Sequence, residues 1–519
     1  MDWQRTSFLA AIAVVSVLLI NEWGNFQDQH KPEFSQETLV INDNTTITSS
    51  VSNVIIEDHV SSDIPIATKI ETAQTPELST ASQQQLISVT TDHLSVLIDT
   101  HGGDIVKVAL PNHLKEIDTP NDPFVLLNRT AQTTYIAQSG LIGADGTDTS
   151  AGRPNFNTLK NEYILSDDED SISIDLFIND NSVKIIKRFT FHRGDNLINL
   201  EYIIDNQTSI DWTAGLFAQI KRDSHNPVET SAMGMQPFLG AAITTEEENY
   251  KKLSFDDLEE DGSFKTTKEG GWVAMVQHYF ISAWIPDSSL SNSFNLRKTS
   301  GDMYLLGFTS PQVTVAPLSQ AVIKADFYAG PKDVYRLEKI SPYLDLTVDY
   351  GWLWWIAKPL FQFLNFIYGF IGSWGWSIIA LTVIIKAIFF PLSATSYRSM
   401  AKMRKFGPEM QRMKETYGDD RQRMSQEMMK LYKKEKINPL GGCLPILVQM
   451  PVFISLYWVL MESVELRHTP FLGWIADLSV RDPYFVLPLI MGITMFIQQK
   501  LNPVPPDPTQ ARIMQMMPI

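Results

Sequence analysis

The stretch WGWSIIALTVIIKAIFFPLS, Trp374 to Ser393, carries a single charged side chain, Lys386. At about 1.5 Å of rise per residue such a run can cross a ~30 Å hydrocarbon layer, which would set the lysine roughly 10 Å inside it. A lysine at depth costs about 2.5 to 3.5 kcal/mol on insertion scales, and by default it marks function. Two readings stand: the ammonium snorkels to the nearer headgroups, or it lines a water-filled groove. A carboxylate partner in another span is excluded, because between Trp352 and Met461 all Asp and Glu lie in one polar loop. Thr382, one turn before Lys386, and Ser393, two turns after it, share its side of a helix, with Ile384, Ile388 and Leu392 opposite. Two later apolar stretches add Gln449 and Ser455, and then Thr494 and Gln498 one turn apart. Such groups often only glue helices together. Gathered with Lys386, they could form a shared hydrated groove. The chemistry is that of transient holding: an ammonium and several hydrogen-bonding groups around a hydrophilic segment, with no bond made or broken.

Other chemistries find little support. His113, His192, His225 and His278 are scattered without a motif, so they read as surface or core histidines. Ser166 to Asp170, SDDED, lacks the spaced ligands of an EF-hand and reads as an acidic turn between strands. The single cysteine, Cys443, excludes an internal disulfide framework or a multi-cysteine metal site. No phosphate loop for ATP or GTP is present, and nothing calls for a metal or other cofactor. Residues 21 to 350 hold 47 of the 59 acidic and 23 of the 42 basic side chains. Nucleic acid is therefore not an expected partner of that acidic part.

The elements that must position these groups follow from the patterning. Residues 1–23 read as an uncleaved membrane anchor with its amino terminus in the cytoplasm, since no small residues suit a cleavage site. Residues 24–85 are polar and form a flexible periplasmic tether. From Leu86 short β-branched stretches such as LINLEYIIDN recur between Gly, Asn, Asp and Pro, which predicts a large antiparallel β-sandwich over 86–335. Residues 336–373 supply a linker and an amphipathic helix in the outer interface: Lys358, Gln362 and Asn365 recur at helical spacing, with Trp352, Trp354 and Trp355 at headgroup level.

After the span 374–393 comes a loop, 394–440, with 12 Lys or Arg against 6 Asp or Glu, which the positive-inside rule places in the cytoplasm. Its methionine stripe, including Met403, Met410, Met413, Met424 and Met428, and the break at Gly418 predict a helical hairpin, with Asp419 or Asp420 capping its second arm. Those methionines are core residues or a surface for apolar clients. A span at 442–461, a periplasmic loop at 462–483, a returning span at 484–500, a cytoplasmic turn at 501–510 and the start of a further apolar helix at 511–519 complete the chain. The fold class is thus a multi-pass α-helical membrane protein with a large periplasmic all-β domain and a cytoplasmic helical hairpin.

Five blocks in order carry a resemblance: GWVAMVQHYFISAWIP (Gly271 to Pro286), LDLTVDYGWLWW (Leu344 to Trp355), SMAKMRKFGPEMQRMKETYGDD (Ser399 to Asp420), RQRMSQEMMKLYKKEK (Arg421 to Lys436) and KINPLGGCLPILVQMPVF (Lys436 to Phe453). The chain closely resembles the YidC-type membrane protein insertases of Gram-negative bacteria. The resemblance implies a non-enzymatic insertase and chaperone of the bacterial inner membrane. Its hydrophilic groove, open to the cytoplasm and lipid, has a basic residue, usually Arg, at the place of Lys386; Lys keeps the charge and loses the planar fork. It also implies client recruitment by the hairpin and a slide for the client helix along Met450, Pro451 and Phe453. The implied partners are nascent inner-membrane proteins, the lipid bilayer, a Sec-type translocon, and a ribosome or signal recognition machinery. Two further spans and a basic tail are implied after Ile519. The alternatives from other classes are a secondary transporter, for which no internal repeat is visible, and a membrane-tethered sugar-processing enzyme built on the β-sandwich.

Overall fold

The computed structural model describes residues 63–65, 85–180, 183–225, 237–299, 301–417, 420–434 and 444–501. The expected anchor, most of the tether, the turn at 502–510 and the segment 511–519 lie outside the described residues, as does Cys443.

Period-two alternation builds the β domain. In the strand Leu197–Asn206 every second side chain turns inward, burying Ile198, Leu200, Tyr202 and Ile204. The neighbouring strand Val183–His192 does the same with Val183, Ile185, Phe189 and Phe191. Lys187 occupies an inward position in that series and is fully buried; its Nζ donates to the carbonyls of Gly102 at 2.9 Å and Ser139 at 3.0 Å. Burial pulls this ammonium down to about 7. Among the described residues twenty strands form two sheets of eleven and nine, whose facing sides share one apolar core. The pairing departs from the expected purely antiparallel sandwich at one edge, where Leu86–Thr90 runs parallel to Glu162–Ile164. A short helix, α1 (Phe255–Glu260), is closed by a capping box between Ser254 and Asp257.

The strand Phe280–Pro286, FISAWIP, is buried at every position. Phe280 and Trp284 enter the sandwich core, whereas Ile281, Ala283 and Ile285 face a second cluster. A continuous apolar run is what a strand covered on both faces requires. That second cluster joins the back of the nine-stranded sheet to the helical part through α2 (Val334–Ile340), α3 (Trp354–Ile371), α4 (Trp374–Ile388) and α8 (Leu444–Glu462). Between the last two run α5 (Phe390–Lys405), α6 (Gly407–Tyr417) and α7 (Arg421–Lys434), and α9 (Val486–Leu501) follows.

The stretch 374–393 is not one straight helix. Its two parts meet at Phe389 with a bend of 58°. Pro391 lacks an N–H and its ring crowds the carbonyl four residues back, which ends the ladder of α4 there. The bend removes the expectation that Ser393 shares a helical face with Lys386. Among the described residues no single helix is long and apolar enough to cross a membrane, though this bent pair passes by length and composition; Leu447–Glu462 and Val486–Gln499 are shorter apolar helices.

α3 has three sides. Ala357, Phe361, Leu364 and Ile367 are buried against the protein, Lys358 and Asn365 meet the preceding segment 334–347, and Gln362, Phe363, Phe366 and Phe370 are exposed. Lys358 pairs with Asp345 at 2.9 Å and Asn365 Nδ2 donates to the Tyr335 hydroxyl at 3.4 Å. Part of the expected tether is held: Gln219 Nε2 donates to the Asp63 carbonyl at 2.7 Å, and Lys221 pairs with its carboxylate.

Candidate functional site

Lys386 stands in the last turn of α4, exposed, with its ammonium 5.0 Å from the centre of the Phe453 ring on α8. No carboxylate pairs with it among the described residues. A cation over an aromatic face is worth about 0.5–1 kcal/mol when exposed and about 2 when desolvated, so the contact steers the ammonium without consuming its capacity to bind anions. Thr382, half-buried, donates its hydroxyl to the Ile378 carbonyl at 2.8 Å. On α8, Ser455 is buried and its hydroxyl returns to the Pro451 carbonyl at 2.7 Å, within a helix that accommodates Pro451. Gln449 is half-buried, one turn from Phe453, and Met450 is exposed on the neighbouring face.

The structure thus brings Lys386 and Phe453 together and seats Thr382, Gln449 and Ser455 on the same two helices. It does not bring in α9 equally. Thr494 and Gln498 are exposed; Thr494 donates back to the Met491 carbonyl at 2.8 Å, and neither side chain bonds to Lys386, Thr382, Gln449 or Ser455. No side chain from Val486 to Gln499 is buried, and the apolar residues there occur all round the helix.

The basic loop is helical over most of its described residues. α6 and α7 pack on one another, Asp420 caps α7 through the Arg423 N–H at 3.0 Å, and Leu431 is buried. Met413, Met424 and Met428 are half-buried, whereas Met403 and Met410 lie on α5 and α6.

Lys332, Glu462 and Arg467, which sequence reading passes over, join the helices to the β domain together with His278. Lys332, just after the strand Ser319–Pro331, pairs with Glu462 at the end of α8 at 2.5 Å, with side chains 2% and 1% exposed. His278 Nε2–H donates to the Met461 carbonyl at 2.8 Å, and burial lowers that imidazole to about 4. Arg467, in the loop after α8, donates to the Leu114 carbonyl at 2.6 Å and lies 5.5 and 5.4 Å from the rings of Phe124 and Phe280. The charges at Glu462, Glu465 and Arg467 were the available signal, and an ordinary polar loop explains them as well.

The scattered histidines form no catalytic constellation. His113 lies edge-on to Phe280, His192 bonds Asn199 and His278 serves the junction. The acidic turn at 166–170 is tied by Arg193 to the carbonyls of Ser166 and Glu169. Among the described residues no cluster of His, Cys, Asp or Glu is placed to hold a metal ion.

Comparison with known proteins gives two family matches, described as YidC periplasmic domain over residues 86–363 and 60Kd inner membrane protein over residues 366–519. A relative from Cellvibrio japonicus, named membrane protein insertase YidC, is 57% identical over all of this chain and 92% of its own length. Relatives of the same name from Saccharophagus degradans and Stutzerimonas stutzeri are 51% and 49% identical, again over all of this chain and over 93% and 92% of theirs. A galactose mutarotase related enzyme from Lactobacillus acidophilus is similar over 47% of this chain and 97% of its own, at 12% identity and a TM-score of 0.32, too slight a likeness to bear on function. The transporter and sugar-enzyme alternatives fall with these matches: the chain belongs to the YidC family of membrane protein insertases of the bacterial inner membrane, whose work is insertion and not enzymatic catalysis.

Proposed function

We propose that insertion runs through a hydrated groove between α4, α8 and α9 that opens to the cytoplasm and to lipid. A client's hydrophilic tail, often acidic, is held briefly by Lys386, while Thr382, Gln449, Ser455, Thr494 and Gln498 exchange hydrogen bonds with it. The client's apolar helix slides along Met450, Pro451 and Phe453 into lipid, where burial at about 25 cal/mol per Å² drives the transfer. The membrane potential assists an acidic tail moving outward. Weak contacts are required, since a tight site would retain the client. The observation that carries the reading is the exposed ammonium of Lys386, without a carboxylate partner among the described residues, set against the Phe453 ring of α8.

In this arrangement the chain is multi-pass, with its amino terminus and the hairpin 394–440 in the cytoplasm, the β domain in the periplasm and α3 in the outer interface. The three-sided pattern of α3 supports that placement: Lys358 and Asn365 are tied to Asp345 and Tyr335, and the exposed phenylalanines lie on another side. Met403, Met410, Met413, Met424 and Met428 recruit clients on the hairpin. The partners are nascent inner-membrane proteins, a Sec-type translocon, and the ribosome or signal recognition machinery.

The test is insertion into liposomes of two single-span clients, one with an acidic outer tail and one wholly apolar, scored by protease protection. Lys386→Ala should cut protection of the acidic tail severalfold and leave the apolar client nearly unchanged. Equal insertion of both by the variant would refute the role of Lys386.

A further inference from the structure

A cavity of about 750 Å³ lies where the β domain meets the start of α3, with Tyr250, Glu338, Asp345, Asp349, Trp354 and Lys358 in its wall. Its size suits a small ligand or headgroup. The wall holds three carboxylates and one ammonium. Lys358 is shared with Asp345 at 2.9 Å, Asp349 takes Lys252 from outside the wall, and Glu338 is exposed and makes no ion pair among the described residues. The unbalanced charge is negative, so the cavity favours a cation beside a group that Lys358 can reach.

Two further features point to a polar occupant. Tyr350, 6% exposed, also lines the cavity, and the hydroxyls of Tyr350 and Tyr250 are buried without a hydrogen-bond partner among the described residues. Buried hydroxyls are rarely left unpaired. Trp354, 57% exposed at the rim, offers an aromatic face to a cation. Beyond Lys358 the helix presents Phe363, Phe366 and Phe370 on the adjacent exposed face, an apolar strip along which acyl chains can lie.

We propose that this cavity binds the headgroup of a zwitterionic phospholipid bearing a primary ammonium. The ammonium sits between Glu338, Asp345 and the Trp354 ring, and the phosphate meets Lys358. A primary ammonium has three N–H donors for carboxylates and hydroxyls; a quaternary ammonium has none, and an anionic headgroup offers no cation. The inference rests on the reading that α3 lies in the outer interface.

The experiment is native mass spectrometry of the full chain in detergent, titrated with phosphatidylethanolamine, phosphatidylcholine and phosphatidylglycerol of the same acyl chains, and with water-soluble glycerophosphoethanolamine. Phosphatidylethanolamine should be retained roughly tenfold better than the other two lipids. Glu338→Gln, at an exposed position, should reduce that preference severalfold, and Lys358→Met should weaken retention of all three lipids. Equal retention of the three lipids, an unchanged preference in Glu338→Gln, or binding of the soluble headgroup as tight as that of the lipid would each overturn the proposal. A spin label at Phe366→Cys, with Cys443→Ser, separates the two layers. Protection of the label from lipid-dissolved oxygen refutes the placement of α3, whereas an oxygen-accessible label with no headgroup preference refutes the headgroup site alone.

Discussion

Replacing Lys332 by methionine removes one half of the ion pair that ties the β domain to the end of α8. Methionine keeps most of the bulk and leaves the Glu462 carboxylate buried without its partner. The pair is 2.5 Å long with both side chains at most 2% exposed, the setting in which losing one member costs about 3–5 kcal/mol. His278 and the surrounding apolar cluster still hold the junction, so the loss appears as local opening and not as global unfolding. At ~1.4 kcal/mol per decade, a cost of ~3 kcal/mol raises the open population about a hundredfold. Hydrogen exchange reads this directly. The amides of Ser463, bonded to the Val459 carbonyl, and Arg467, bonded to that of Val464, should exchange about a hundred times faster, while Leu197–Asn206 is unaffected. In the double variant Lys332→Met with Glu462→Met, no charge remains to be desolvated, and protection should return to within about 1 kcal/mol of the parent. If the double variant shows the sum of two large single effects, or if neither single variant changes exchange, the buried pair does not hold the junction and the reasoning fails.

Three further outcomes follow from the same contacts. His278 is neutral in the fold, lowered from 6.5 to about 4 by burial, so the unfolded chain takes up a proton first as pH falls. Its contribution is complete above pH 6.5 and is lost between there and pH 4, at most about 3 kcal/mol. Thermal unfolding of the full chain in detergent at pH 7.5 and 5.0 should show a smaller loss in His278→Gln than in the parent, since His113, also lowered to about 4 by burial, keeps its own loss in the variant and Glu465, raised to about 7, acts in the opposite sense in both. Gly375, in the first turn of α4, leaves no room for a methyl group, because a Cβ there would lie 2.1 Å from Phe471 Cδ2. Gly375→Ala should cost about 1–3 kcal/mol, with much of that recovered when Phe471→Ala is added, again by thermal unfolding. Asp420→Ala removes the cap of α7 and should lower helicity of the hairpin by circular dichroism, at a cost of about 1 kcal/mol.

What the sequence discloses is what a local pattern can carry. Alternation in stretches such as LINLEYIIDN locates strands because one face of each is buried, and that signal needs no knowledge of the partner strand. FISAWIP shows the reach of the same logic: its unbroken apolarity already implies cover on both sides, though not that the second cover is a group of helices. The bend at Phe389 is present in the sequence as Pro391, but the apolar length of 374–393 conceals it, and with the bend Ser393 leaves the helical face of Lys386. Lys386 was legible because a charge in an apolar run is anomalous by itself. Lys332 and Glu462 were not, because each is ordinary where it stands and gains meaning from a partner 130 residues away. The same distinction separates the site residues: Thr382, Gln449 and Ser455 ride on helices fixed by buried neighbours, whereas Thr494 and Gln498 depend on how α9 meets the others, and helical spacing has no bearing on that. The contacts that place α8 against the β domain are therefore long-range and charged at the junction, while the Lys386–Phe453 contact is exposed and weak; in the proposed groove that division would suit a site that must release its client.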